Sequence, residues 1–170
     1  AKGREGFMAI KIDLEKAYDK LEWSLIRERL FHINLSPNLI DIIMSCISLV
    51  STAILFNGGS MKPIIPSRGF RQGNLLSPYH FILCMDWLGE LIDNKCAEKF
   101  WTLVKSTKNG LSFSHTFFAN DLVLFAKVNQ VNCSTIRDVN DEFCKKSGQS
   151  MSEAKSRVYF SPNIDRDTRE

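Results

Sequence analysis

A chain of 170 residues with 44% hydrophobic content can bury one ordinary core, and it has the size of one domain or of a piece of a larger protein. Its formal charge of +3 and pI near 8.6 permit a nucleic-acid partner but fall short of the basic stripe that would argue for one on charge alone. Five widely spaced cysteines (Cys46, Cys84, Cys96, Cys133 and Cys144) without a C-x-x-C pair disfavour a zinc ribbon or a disulfide framework, and no apolar run reaches the roughly 18 residues of a membrane helix.

Ala1 to Gly6 is charged and lacks the apolar centre of a signal peptide. An intracellular protein of the cytoplasm or nucleus, with no membrane partner, is expected. From Phe7 to Leu14 the residues alternate, with Met8, Ile10 and Ile12 on one face and Ala9, Lys11 and Asp13 on the other, which predicts a strand. Leu25, Ile26, Leu30 and Ile33 recur at helical spacing within 22–33. Ser36-Pro37 then supplies a cap and first-turn proline for a helix to about Leu49. That second helix is apolar nearly all round, so deep burial is expected. Stretches 52–56 and 61–65 flank Asn57-Gly58-Gly59, the turn chemistry of a hairpin.

After a polar loop at 67–73, Ser77-Pro78 predicts the cap and first turn of a helix to about Asn94. Residues 101–105 suggest a strand and Asn109-Gly110 a turn. Two β-prone runs, 113–118 and 122–126, are separated by Ala119-Asn120-Asp121, a tight hairpin with polar residues at its tip. Ile136, Val139 and Phe143 mark a helix over 134–146 that Gly148 would cap, and 157–160 reads as a last strand. With 34–73 set aside as an insertion, the order is strand, helices, hairpin, helix, strand, which approximates a split βαβ pattern. The abrupt start and the charged, aperiodic end suggest a fragment whose residues 164–170 form a disordered tail.

Two acidic segments carry the chemistry, Asp13 at the close of the first strand and Asp121 on the later hairpin. Each alone is ordinary turn or cap chemistry. If the sheet pairs the two elements, both carboxylates project from one face, and like charges so close resist ionising together unless cations neutralise them. Hard Mg²⁺ with oxygen ligands fits that need. Two such ions about 3.5 to 4 Å apart would activate a primer 3′-hydroxyl and stabilise the departing pyrophosphate.

Lys11-Ile12-Asp13-Leu14-Glu15-Lys16-Ala17-Tyr18-Asp19, Arg68-Gly69-Phe70-Arg71-Gln72-Gly73, Leu76-Ser77-Pro78 and Phe117-Phe118-Ala119-Asn120-Asp121, followed by Lys146-Ser147-Gly148-Gln149 with Lys155-Ser156, resemble successive polymerase motifs of reverse transcriptases. The wording is most similar to plant LINE-like (non-LTR) retrotransposons, over about 7–163. The resemblance implies an α+β polymerase palm across 1–163, an antiparallel sheet of ferredoxin-like (split βαβ) type with helices packed on one face and its active-site hairpin at 112–127. It implies two Mg²⁺ ions, with Mn²⁺ an alternative, an RNA template, a DNA primer and deoxynucleoside triphosphates.

By the same resemblance Asp13 corresponds to the first metal ligand, aided by the backbone oxygen of Ile12 or Leu14. Asn120 and Asp121 occupy the later metal-binding positions. Tyr18 corresponds to the aromatic gate that leaves no room for a ribose 2′-hydroxyl, which disfavours a viral RNA-dependent RNA polymerase. Arg71, Gln72 and Gly73 correspond to the loop against nucleotide and template, and Lys155 to a lysine that protonates pyrophosphate. A zinc hydrolase is disfavoured, because His32, His80 and His115 have no ligand spacing.

The family pattern is broken where Asn120 stands in place of the usual first aspartate of an Ala-Asp-Asp tip. A neutral carboxamide there replaces the principal anionic metal ligand, so impaired polymerisation is expected. Asn74 and Leu75 also depart from the usual Asp-Pro. An RNA-directed DNA polymerase domain weakened in this way is the leading reading. A catalytically inactive nucleic-acid- or protein-binding remnant of the same fold is the alternative.

Overall fold

The computed structural model describes residues 6–70, 73, 75–105, 107, 110–118 and 121–164. Its centre is a four-stranded sheet built from β1 (Phe7–Asp13), β6 (His115–Phe118), β7 (Asp121–Lys127) and β8 (Arg157–Phe160). The spatial order is β6-β7-β1-β8, and every neighbouring pair is antiparallel. β1 therefore lies between two strands from the far end of the chain, the split βαβ arrangement expected of the α+β class.

Alternation along the strands separates two faces. Met8, Ile12, Leu122, Leu124 and Ala126 are buried, while Lys11, Asp13, Asp121 and Val123 lie on the opposite, more open face. The buried face is covered by α2 (Trp23–His32), α4 (Ser77–Ala97) and α5 (Gln130–Ser147), through Leu25, Ile26, Phe81, Leu88, Val139 and Phe143. α4 meets the sheet at Gly89, where a Cβ would stand in van der Waals contact with the His115 ring, 3.4 Å away. Trp101 is fully buried and donates its indole N–H to the Phe125 carbonyl at 2.9 Å.

Helix boundaries follow from their caps. Asn129 accepts from the Asn132 amide at the start of α5, and Gly148 closes that helix in the left-handed conformation at φ 72°. Ser36 caps α3 (Pro37–Ser48) by accepting from the Leu39 amide. Ser77 does not act as a cap. It is the first residue of α4, its hydroxyl is buried without a partner among the described residues, and Leu76 occupies the N-cap position without a side-chain cap bond.

The deep burial expected for α3 is also corrected. Only Ile40, Met44 and Ile47 are buried, and Leu39, Ile42 and Leu49 are exposed, because α3 packs by one face against α2. The hairpin after it is shorter than expected, with β2 (Leu55–Phe56) and β3 (Gly59–Ser60) turning at Asn57-Gly58 and a single bridge between Thr52 and Ile64. The strand expected at 101–105 is confined to β4 (Val104–Lys105), paired with β5 (Ser112–Phe113). No described helix is long and apolar enough to cross a membrane. The expected tail at 164–170 lies outside the described residues apart from Ile164, as does Asn109 of the expected turn.

Candidate active site

The end of the β1–β7 ladder brings the two acids together. Asp13 and Asp121 are direct cross-strand partners, the last pair of a seven-residue antiparallel register that begins with Phe7 opposite Lys127. Directly paired residues share a face of the sheet, and here it is the face opposite the helices. Asp121 is the first residue of β7, in register with Phe118 of β6, so it sits in the ladder and not at the turn as the sequence suggested.

Asp13 is fixed by its backbone on its other edge. Its carbonyl accepts from the Ser152 amide at 2.9 Å, and its own amide donates to the Ser156 hydroxyl at 3.3 Å. A bridge between Leu14 and Met151 and a bond from the Glu15 amide to the Ser150 carbonyl extend that pairing. The turn that holds Asp13 also carries Lys155, whose ammonium lies 3.7 Å from the Asp13 carboxylate. On the β7 side, Lys11 places its ammonium 3.2 Å from the Asp121 carboxylate. Each acid is thus matched by one lysine.

Beyond the acids, two of the segments that carry the resemblance converge on the end of a third, α1 (Ala17–Lys20) and the residues after it. The Phe70 amide donates to the Tyr18 carbonyl, the Gly69 amide to the Leu21 carbonyl, and the Trp23 indole to the Gly69 carbonyl at 2.8 Å. From the other side the Glu22 amide bonds to the Ser147 carbonyl, and the buried Gln149 side chain donates to the Ala17 carbonyl at 2.7 Å.

Two glycines permit this closeness. Gly69 and Gly148 both have positive φ, and a Cβ on either would press into the Asp19 or Lys20 carbonyl. Sequence reasoning assigned no role to Lys11, Gln149, Gly69 or Trp23. For Gln149 the available signal was a polar side chain just past a helix-capping glycine.

Tyr18 stands on α1 with its ring packed on Phe81, centroids 4.8 Å apart, half-buried against the core. Gly73 is exposed at φ 88° with open space around it. Arg71, Gln72 and Asn120 lie outside the described residues. The three histidines do not gather. His80 is buried, and burial lowers its pKa. His115 is half-buried and lowered for the same reason, and His32 is largely exposed on α2. Cys84 is a core residue whose thiol burial pushes up to about 12. Beside the acids, hydrogen bonds from Lys20 and then Ser150 lower the Glu15 pKa.

The donor set of the acid pair consists of hard carboxylate oxygens, which suits Mg²⁺, an ion commonly held by one or two carboxylates together with substrate phosphates. Among the described residues no third acidic, histidine or cysteine side chain joins them to complete a metal cluster. Two lysine ammoniums already stand against these oxygens as stand-in cations.

Residues 2–166 match the family described as reverse transcriptase (RNA-dependent DNA polymerase). A retrovirus-related Pol polyprotein from a type-2 retrotransposable element of Drosophila melanogaster is 28% identical over 116 residues, covering 68% of this chain and 10% of the polyprotein. An uncharacterized mitochondrial protein of Arabidopsis thaliana is 36% identical over 67 residues, 39% of this chain and 55% of that protein.

Among solved structures, apo telomerase from Candida tropicalis superposes with a TM-score of 0.67 at 17% identity, over 95% of this chain and 32% of the telomerase. Telomerase from Candida albicans, in complex with a fragment of telomeric RNA, gives 0.65 at 16% identity, over 94% and 27%. At these identities the likeness to the telomerases is one of fold. The chain spans a tenth of the polyprotein and about half of the plant protein.

Proposed function

Since the chain belongs to the reverse transcriptase (RNA-dependent DNA polymerase) family, we propose that it is the palm of a LINE-like, non-LTR retrotransposon polymerase that adds deoxynucleotides to a primer on an RNA template. The observation that carries this reading is the direct pairing of Asp13 with Asp121 on the open face of the sheet.

Asp13 and Asp121, with the carboxamide oxygen of Asn120, would hold Mg²⁺ or Mn²⁺. Bound divalent ions supply neutralisation of the charge that builds on the attacking and leaving oxygens. The chain's own groups do the rest. The Tyr18 ring is braced by Phe81 and so resists displacement by a ribose 2′-hydroxyl, which selects deoxynucleotides. Gly73 and Gln72 let the backbone approach nucleotide and template, and Arg71 meets phosphate. Lys155, 3.7 Å from the Asp13 carboxylate, delivers a proton to the departing pyrophosphate. A DNA primer, an RNA template and deoxynucleoside triphosphates are the partners. An intracellular setting in the cytoplasm or nucleus agrees with the five unpaired cysteines.

Asn120 limits this chemistry, since a neutral amide contributes less than an anionic oxygen to a divalent ion. We expect Asn120→Asp to raise primer extension on an RNA template with Mg²⁺ by at least about 10- to 100-fold. The same substitution specifies when to abandon catalysis. If Asn120→Asp, joined to flanking segments of a longer relative, still yields no product while RNA binding persists, the chain is an inactive nucleic-acid-binding remnant of the fold. The loss of an acid at position 120 favours that second reading.

A further inference from the structure

The open face next to the acid pair carries two cations whose placement follows from register. Lys11 is the cross-strand partner of Val123 on one side and of Arg157 on the other, so the Arg157 side chain shares its face and stands beside it. The Arg157 guanidinium is tethered by two bonds to the backbone carbonyls of Ala154 and Ser156, at 2.6 and 2.7 Å. The Lys11 ammonium leans instead along the diagonal, two residues on, to Asp121 at 3.2 Å.

Lys11 and Asp121 are each 44% exposed in their side chains. A pair so placed is weak and exchangeable, because water solvates the ammonium almost as well as the carboxylate does. It nevertheless puts a positive charge on the oxygen that a divalent ion would need. A cation near that position repels an incoming doubly charged ion, and the ion can bind fully only after the ammonium has swung out.

We infer that Lys11 is a built-in counter-ion of the acid pair, which holds Asp121 while no metal is bound and competes with divalent cations for it. This rests on the metal-binding reading of the site given above. The consequence is a palm whose two acids each already carry a lysine counter-ion, Lys11 on Asp121 and Lys155 on Asp13, and that takes up divalent ions only at raised concentration.

Mn²⁺ titration of the full chain, followed by the electron paramagnetic resonance of the free ion, tests it. Lys11→Met keeps the apolar stem and removes the charge, and it should tighten Mn²⁺ binding by about two- to fivefold, the worth of an exposed pair. Lys11→Arg keeps the charge and should bind as weakly as the native chain. In an Asp121→Asn background the gain from Lys11→Met should vanish. Equal affinity in Lys11→Met and the native chain, with binding abolished by Asp13→Asn, would overturn the counter-ion role and leave the metal reading standing. Tight binding by Lys11→Arg would overturn it as well, since the effect would then not depend on the positive charge. Absence of saturable binding in every variant would remove both readings.

A second measurement covers a variant that does not fold. In the native chain with lysine labelled at Cε, Mg²⁺ should move the Lys11 signal toward that of a free lysine. A Lys11 signal unchanged while Mn²⁺ binds would refute the competition.

Discussion

Two clusters of carboxylate and cation in this molecule share a chemistry and differ in everything else. In the first, the Arg29 guanidinium of α2, with its side chain 4% exposed, makes a two-pronged bond to Glu90 of α4 at 2.8 and 2.5 Å and lies 3.5 Å from Asp86. In the second, on the open face, single ammoniums stand 3.2 Å from Asp121 and 3.7 Å from Asp13, with Lys155 itself 72% exposed. A buried planar fork with two parallel bonds has no cheap alternative in water. A flexible lysine with its head in solvent has one at every moment. The first cluster fastens two helices, and the second keeps the acids occupied while leaving them open to exchange.

Substitutions can break or sharpen that contrast. The largest effect is expected from Asp13→Asn, which should lower Mn²⁺ affinity by about 10- to 100-fold or more while urea unfolding stays close to the native curve. A large loss of stability instead would mean that Asp13 is structural. Next, Glu90→Ala should cost about 2 kcal/mol in urea unfolding, because it strands a buried guanidinium with only the more distant Asp86.

Arg29→Met should cost less, about 1 kcal/mol, since the apolar stem is kept and Glu90 is left facing water. Equal losses for these two would show that the pair's strength lies in packing and not in charge. Lys155→Ala should change stability by under about 0.5 kcal/mol, as exposed pairs do.

The pH dependence separates the clusters further. Hydrogen bonding from Arg29 lowers the Glu90 pKa below its ordinary 4.5. A carboxyl depressed in the folded state contributes stability that is present above the unfolded value and fades as pH falls through the folded one. Glu90→Gln should therefore flatten the acid limb of a stability curve measured from about pH 5 downward, and an unchanged limb would place the acid sensitivity elsewhere.

Much of this architecture was legible before any coordinates. Period-2 alternation set Met8 and Ile12 inward and Asp13 outward, and the order of elements implied the split βαβ sheet, because both depend on local patterns that a sequence displays directly. The pairing of Asp13 with Asp121 was an expectation of topology, and the register agrees with it. What escaped was set by tertiary neighbours. Nothing local distinguishes a helix covered on one side, as α3 is, from one covered all round. Ser77 looked like a cap, yet the chain enters α4 in a helical conformation one residue earlier. Lys11 read as an ordinary outward lysine of a strand, because its diagonal partner belongs to an element far along the chain.

The central position of β1 also bears on how the protein is made. Of the four strands of this sheet β1 is made first, and both of its hydrogen-bonding neighbours, β7 and β8, are encoded after residue 120. Between the making of β1 and that of β7 the nascent chain must carry a strand with two bare edges, a state prone to mispairing, because its closure is slow and long-range. A transcript cut short anywhere before Asp121 would encode the first acid without the second, and no part of the site could assemble from it.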